Sequence, residues 1–444
     1  MQKFYTDAPA CAEKAANFSG LAFAPAPGPA SDLGRYAKSI TPPLSGHGFS
    51  KKSAPGSAAA KEETARKAVQ ATRAQRYELL ATARRIISAA GRRAGLQYGH
   101  DFHRTAKCKF IRHGGNGVGV HRSKAHGSAF FSGLVTCGSM SGCPVCANKV
   151  GERRREEIAK AVEWTYAQGL QPMMVTLTFP HRAWHKLRVL LSQQAMALQR
   201  LRAGQPWAKF KARIGFRGLI RGLECMHGES GWHPHTHEIW MVAKDVDVEA
   251  VKVEIIKRWE SACARAGLLD LDNPRQVEAF RLHAVDVKGN CSASDYLSKQ
   301  DDSKNWGVDR ELAKGCTKDG KLKGLHPFGL LALAGEGDRR AARLYLAYIM
   351  AMKGKRLLFW SHGLKAEVGV DELTDEALAE QEREAADLLG HLTDDDWQTV
   401  RETGARAAVL DAAECGGWPA VQGLLDRLTR AAVERLKAAL SDTS

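Results

Sequence analysis

Three histidines alternate in the segment HPHTHEIW (233–240), and along an extended strand a period of two puts His233, His235 and His237 on one face. Residues two apart on a strand are separated by about 7 Å, so the rings of His235 and His237 can turn onto one divalent ion. A short turn within 227–231 folds strand 219–226 back on strand 235–242 and brings Glu224 opposite His235. Two imidazoles and one carboxylate leave coordination positions open. With phosphate oxygen and water as further ligands, that mixed set suits Mn²⁺ or Mg²⁺. An isolated alternating pair more often decorates a wet strand. The cross-strand Glu224 and the apolar IWMV that follows turn the reading toward a catalytic metal, with Zn²⁺, Mn²⁺ and Mg²⁺ all left open.

Tyr296 and Lys299 lie three apart on a short helix expected over 292–299 and so share its face. A free phenol ionises near pH 10 and needs a cation or base to become a nucleophile. Lys299 can favour the phenolate or steady phosphate charge. Attack on a phosphodiester would store the bond energy as a phosphotyrosine ester. By itself such a Tyr–Lys pair carries no weight; its value lies in following the histidine strand. Asp295 reads as a helix-capping or dipole residue, His181 as a turn histidine, and Tyr345 and Tyr348 as packing residues.

A second ligand set is Cys137-x5-Cys143-x2-Cys146, with Cys108 as the expected fourth thiolate of a structural zinc knuckle and His121 or His126 as substitutes. Reduced, unrelated thiols are the plainer alternative. Arg153, Arg154 and Arg155 follow at the start of a helix and are expected to face phosphate. Cys11, Cys225, Cys263, Cys291, Cys316 and Cys415 stand outside any ligand spacing.

The elements that must position these groups alternate. Strand 172–179 (PMMVTLTF) precedes a helix over 184–202 and the two strands around the turn. An amphipathic helix over 248–266, with Val251, Ile255, Ile256 and Trp259 on one face, leads to a strand over 277–287. The order β-α-β-β-α-β is the split βαβ arrangement: an α+β fold whose antiparallel sheet carries helices on one side. Residues 1–60, rich in Ala, Pro, Gly and Ser, read as a flexible leader. A basic helical segment fills 61–100 and the cysteine-rich segment 101–160. The metal-bearing domain spans 165–305, an accessory part 306–370, and an acidic helical region 371–444.

Charge separates along the chain. Residues 371–444 hold 7 Lys/Arg against 17 Asp/Glu, so the total of +16 leaves +26 on residues 1–370. A basic body suits a polyanionic partner, because phosphate contacts release counterions. Ten cysteines without a signal-like start point to a reducing cytoplasm, and the sequence has no apolar run of about eighteen residues to span a membrane.

These motifs, in this order, resemble the HUH endonuclease superfamily, and within it the rolling-circle replication initiators (Rep proteins) of plasmids. VTLTFPH (175–181) is similar to the first motif. HPHTHEIW carries the two metal histidines, and DYLSKQ (295–300) carries the nucleophile. The segments 137–158 and 326–365 extend the likeness to about 108–365. Relaxases of the superfamily place their tyrosine before the histidines, and Rep proteins place it after, as here. Ser292 stands where some Rep proteins carry a second tyrosine, so a single-tyrosine type is implied. Thr236 departs from the bulky apolar residue usual between the histidines.

The resemblance implies nicking of one strand at an origin hairpin, a 5′-phosphotyrosine on Tyr296 and a 3′-hydroxyl primer. It also implies host helicase and polymerase as partners. A related transposase or mobilisation strand-transferase, and a non-enzymatic zinc-stabilised DNA-binding regulator, are the alternatives.

Overall fold

The structure, a computed structural model, describes residues 58–96, 103–114, 117–293, 324–381 and 385–441. Tyr296 and Lys299, the helix expected over 292–299 beyond Ala293, and the leader up to residue 57 lie outside the described residues. Helix α1 (Ala58–Arg93) is followed by a 3-10 turn (Arg104–Lys107), strands β1 (Val118–Ser123) and β2 (Ala129–Phe131), and helix α2 (Pro144–Ala167). The central run is β3 (Leu170–Leu177), α3 (Leu187–Leu201), α4 (Gly204–Arg213), β4 (Gly218–Gly228), β5 (Gly231–Ala243), α5 (Val248–Arg265), α6 (Pro274–His283) and β6 (Val285–Lys288). Then come α7 (Pro327–Gly335), α8 (Arg339–Ala351), β7 (Leu358–Trp360), α9 (Leu364–Val368), α10 (Asp375–Glu380), β8 (Ala386–Leu392), α11 (Asp394–Glu402) and α12 (Arg406–Ser441).

The fold is α+β, with two antiparallel sheets. The larger has the order β6-β3-β5-β4-β7 and the smaller β2-β1-β8. The β4–β5 hairpin turns over Glu229 and Ser230, tighter than the five-residue turn expected, and its register pairs Glu224 with His235 as expected. Gly231 opens β5 at φ +85°, a left-handed conformation that favours glycine. A Cβ there would also sit 2.8 Å from the Ala183 backbone.

Alternation gives the large sheet two apolar faces. Met173, Val175, Trp240 and Val242 join Leu190, Leu191, Val251, Ile255 and Trp259 of α3 and α5 in the main core. Trp240 is fully buried in an edge-on cluster with Trp207, Phe210 and Phe216. On the opposite face Met174, Ile220, Ile239 and Met241 pack against Ile158, Ala161 and Val162 of α2. Helices therefore cover both faces, not one. The cause is α2, whose apolar stripe comes from outside the split βαβ run. Ile256, expected on the buried stripe of α5, is only half-buried at its margin.

Two further readings need correction. The strand expected over 277–287 is helical through His283, because Asn273 caps it by accepting from the Gln276 N–H (3.1 Å) and Pro274 suits the first turn. Region 371–444 is not wholly helical: β8 pairs with β1 and carries its residues into a core with Trp397, Val409 and Val421.

The acidic region answers some of the basic charge internally. Arg73 of α1, nearly buried, pairs with Asp411 (2.5 Å) and Glu414 of α12. Arg104 meets Glu376, and Arg112 meets Asp394. The Arg153–Arg155 run does not simply face phosphate. Arg153 donates to the Gln381 carbonyl (2.7 Å), and Arg154 to Glu157, Asp375 (2.8 Å) and the Leu373 carbonyl (2.9 Å). Burial beside acidic partners wins for those two, while Arg155 pairs locally with Glu152.

Candidate metal centres

Register brings the first centre together. Glu224 stands opposite His235 on β4–β5, and His237 opposite Thr176 on β3. The Glu224 Oε2 lies 3.2 Å from His235 Nε2 and 3.4 Å from His237 Nε2. Donors about 2.0–2.2 Å from one divalent ion stand roughly 2.8–3.6 Å apart at octahedral or tetrahedral angles, so the spacing fits.

Proton positions strengthen that fit. His235 Nδ1 donates to the His233 carbonyl (3.3 Å), which in a neutral ring leaves a lone pair on Nε2. A lone pair facing a carboxylate at 3.2 Å needs a proton or a cation between them. His237 Nδ1 is held by the Thr176 hydroxyl (3.0 Å), an outer contact of the kind that orients metal ligands. Burial opposes ionisation of Glu224, but the two imidazoles facing it prevail and hold its carboxyl well below the usual range.

His233, on the same face, is not drawn into this set. Its ring packs between His181 (4.6 Å between centroids) and His235 (4.9 Å). Its Nε2 meets the Thr178 hydroxyl at 3.3 Å. Burial, then the neighbouring His235 and His181, push it down to about 3, so it is a neutral buttress. His181, expected as a turn histidine, packs against it with the two rings tilted at 51°.

The centre opens into a cavity of about 310 Å³ whose lining includes Glu224, His237, His326, Tyr348, Arg76, Asn148 and Arg155. The described chain resumes at Gly324 beside Met226, and Leu325 bridges to His227 on β4. That places His326 at the cavity. Burial pushes His326 down to about 4. Its Nδ1 accepts from the Phe328 N–H (3.2 Å), so in the neutral ring Nε2 carries the proton. Sequence reasoning missed Thr176 and His326. Thr176 pairs across a non-adjacent strand, and His326 looks like an ordinary cap before Pro327.

Tyr345 and Tyr348 are packing residues, as read. The Tyr345 hydroxyl donates to the Gly142 carbonyl (2.6 Å), and Tyr348 stacks on Trp232. Burial pushes both phenols up, away from nucleophilic use.

The second centre gathers Cys108, Cys137, Cys143 and Cys146, all buried. Sulfur separations are 3.5 Å (Cys108–Cys146), 3.6 Å (Cys108–Cys143) and 3.7 Å (Cys137–Cys146). Four thiolates about 2.3 Å from a tetrahedral zinc stand about 3.8 Å apart, whereas a disulfide needs about 2.05 Å. Backbone N–H groups of Cys137, Ser139 and Cys146 point at sulfurs at 3.4–3.5 Å. Burial pushes the Cys137 and Cys143 thiols up, while hydrogen bonds from the other three sulfurs draw Cys146 down. The set could hold a structural metal such as zinc. His121 is engaged elsewhere, bonded to Ser132 (2.8 Å) and stacked on Phe130. His126 is not part of the cluster either.

An α+β protein with an antiparallel sheet, a His/Glu cluster at a cavity and a four-cysteine cluster is the class these features define. Residues 134–405 match the model of a family described as replication protein, and the chain belongs to that family. It is 27% identical over 365 residues to "Protein rep" of Streptomyces lividans, covering 67% of this chain and 79% of that protein. A shorter match, 36% identical over 143 residues, is to a protein of Streptomyces cyanogenus named "Neomycin resistance protein" (27% of this chain, 33% of the other). No solved structure matches. Among the described residues no helix is long and apolar enough to cross a membrane.

Proposed function

We propose that this replication protein is a plasmid rolling-circle initiator of the HUH type. It nicks one DNA strand at an origin hairpin and leaves a 5′-phosphotyrosine on Tyr296 and a 3′-hydroxyl primer. The observation that carries the reading is the convergence of His235, His237 and Glu224 on one point, with Glu224 and His237 lining a cavity, upstream of Tyr296 in the Rep order. The run from Leu170 to Lys288, β-α-α-β-β-α-α-β with α4 and α6 added to the two crossovers, supports a split βαβ nicking domain over 165–305. Around it we assign a basic helical segment (61–100), a zinc-knuckle segment (101–160), an accessory part (306–370) and an acidic region (371–444), with 1–60 a flexible leader.

In this mechanism His235, His237 and Glu224 would hold Mg²⁺ or Mn²⁺, which would supply positive charge to polarise the scissile phosphate. The Tyr296 oxygen attacks phosphorus, the bond to the 3′ oxygen breaks, and that oxygen takes up a proton to become the primer hydroxyl. Lys299 favours the phenolate and steadies the charge on the phosphate. His326 supplies an N–H donor in the same cavity. The strand is single at the nick, host helicase and polymerase extend from the primer, and the protein works in the cytoplasm.

A supercoiled plasmid carrying the cognate origin tests this. Wild type relaxes it with Mn²⁺ or Mg²⁺ and loses at least about 100-fold in rate with excess chelator, the loss expected when a metal stops stabilising transition-state charge. Cutting at full rate in chelator would sink the reading, as would no cutting with any divalent ion.

A further inference from the structure

On the sheet face opposite the metal centre, a second cavity of about 730 Å³ opens between α3, α4 and the β4–β7 edge. Small-ligand sites commonly measure about 300–1,000 Å³. Its wall is basic: Arg202, Lys211, Arg221, Lys355 and Arg356 line it with His362, and no carboxylate does so among the described residues. Trp207, Phe216 and Phe359 give it an aromatic floor, with the Arg221 guanidinium 4.8 Å over the Phe359 ring.

A sheet-edge notch with surface cations is ordinarily just solvated. This one differs in its buried polar atoms. Gln194 (2% exposed), Thr236 (0%) and Arg202 are among its lining residues, and Gln194 Nε2, the Thr236 hydroxyl and Arg202 Nε, with Glu238 Oε1 behind them, are buried without a hydrogen-bond partner. Native interiors rarely leave such groups unpaired. Glu238, fully buried beside them, holds Arg202 and accepts from Trp240 Nε1 (2.7 Å), which fixes the guanidinium in place. Burial, with Arg202 nearby, lowers the Arg221 pKa in spite of Glu238 across the strand pair.

We propose that this pocket binds a nucleotide unit, its phosphate on Arg202, Arg221 and Lys355, its base against the aromatic floor and hydrogen-bonded by Gln194 and Thr236. Guanidinium forks suit phosphate oxygens, and aromatic faces accept any base. The unit is either a free nucleotide or one nucleotide of a bound strand.

Calorimetric titration of the full chain decides, using deoxyadenosine triphosphate, inorganic phosphate and a single-stranded dodecamer. The variants are Gln194→Leu and Arg221→Gln. Gln194→Leu keeps the volume and removes the unpaired amide, so a purely structural glutamine predicts equal or greater thermal stability and unchanged binding. The proposal predicts about tenfold weaker binding in both variants. Loss of triphosphate binding identifies a free nucleotide, and weakening of the dodecamer alone identifies the strand. Unaltered affinities in either variant overturn the proposal, as does phosphate binding as tightly as the nucleotide.

Discussion

Glu224→Ala will leave a folded protein that binds Mn²⁺ at least about 100-fold more weakly and nicks origin DNA slower by a similar factor. Outer contacts of metal ligands alone are worth about 10–100-fold in affinity or activity, and Glu224 is itself the carboxylate between both imidazoles. The alternative is an ion-paired patch in which one protonated histidine salts the glutamate. In that case the alanine variant loses no Mn²⁺ affinity, because none existed. Titration of Mn²⁺, read by calorimetry or by its electron-spin resonance, separates the two. Glu224→Gln keeps an oxygen donor without the charge and is expected to fall between wild type and alanine. A wild-type protein with no measurable Mn²⁺ or Mg²⁺ affinity contradicts the assignment.

Cys143→Ser is expected to remove stoichiometric zinc and to lower the thermal midpoint by on the order of 10 °C. Structural zinc contributes roughly 10–16 kcal/mol of apparent folding free energy to small fingers. Even a third of that shifts a midpoint by about this much at 2–4 °C per kcal/mol. The cluster sits at the start of α2, with Cys143 as its N-cap, and α2 packs on the sheet face that carries Glu224, His235 and His237. Loss of the knuckle should therefore also weaken the nicking activity, whereas the Glu224 variants leave the zinc in place. Metal analysis with thermal unfolding checks this. A metal-free wild type whose midpoint matches Cys143→Ser would mean that the four sulfurs are only buried thiols.

Much of the His/Glu cluster could be read from the chain because it rests on local geometry. Alternation put His235 and His237 on one face, and a short hairpin fixed Glu224 across from them. Thr176 and His326 escaped because their placement depends on strand β3 and on the turn before α7, both distant in sequence. The stretch VEAFRL alternates well enough to pass for a strand, and only the capping signals Asn273 and Pro274 told against it. β8 was missed for a different reason: its partner β1 lies in the cysteine-rich segment, and an Ala- and Leu-rich run resembles helix until that pairing is known. Charge was misjudged similarly. Arg153 and Arg154 looked like phosphate ligands because their acceptors, at Leu373, Asp375 and Gln381, lie more than two hundred residues away.

The central claim is that Tyr296 becomes joined to DNA with help from the triad. Incubating wild type with Mn²⁺ and a single-stranded origin oligonucleotide, followed by digestion and mass analysis, tests it most directly. The account predicts a tryptic peptide containing Tyr296 that carries the 5′ phosphate of the cleaved strand. That adduct should be missing in Tyr296→Phe, which still binds the oligonucleotide. An adduct on another residue, or cleavage retained in Tyr296→Phe, would contradict it.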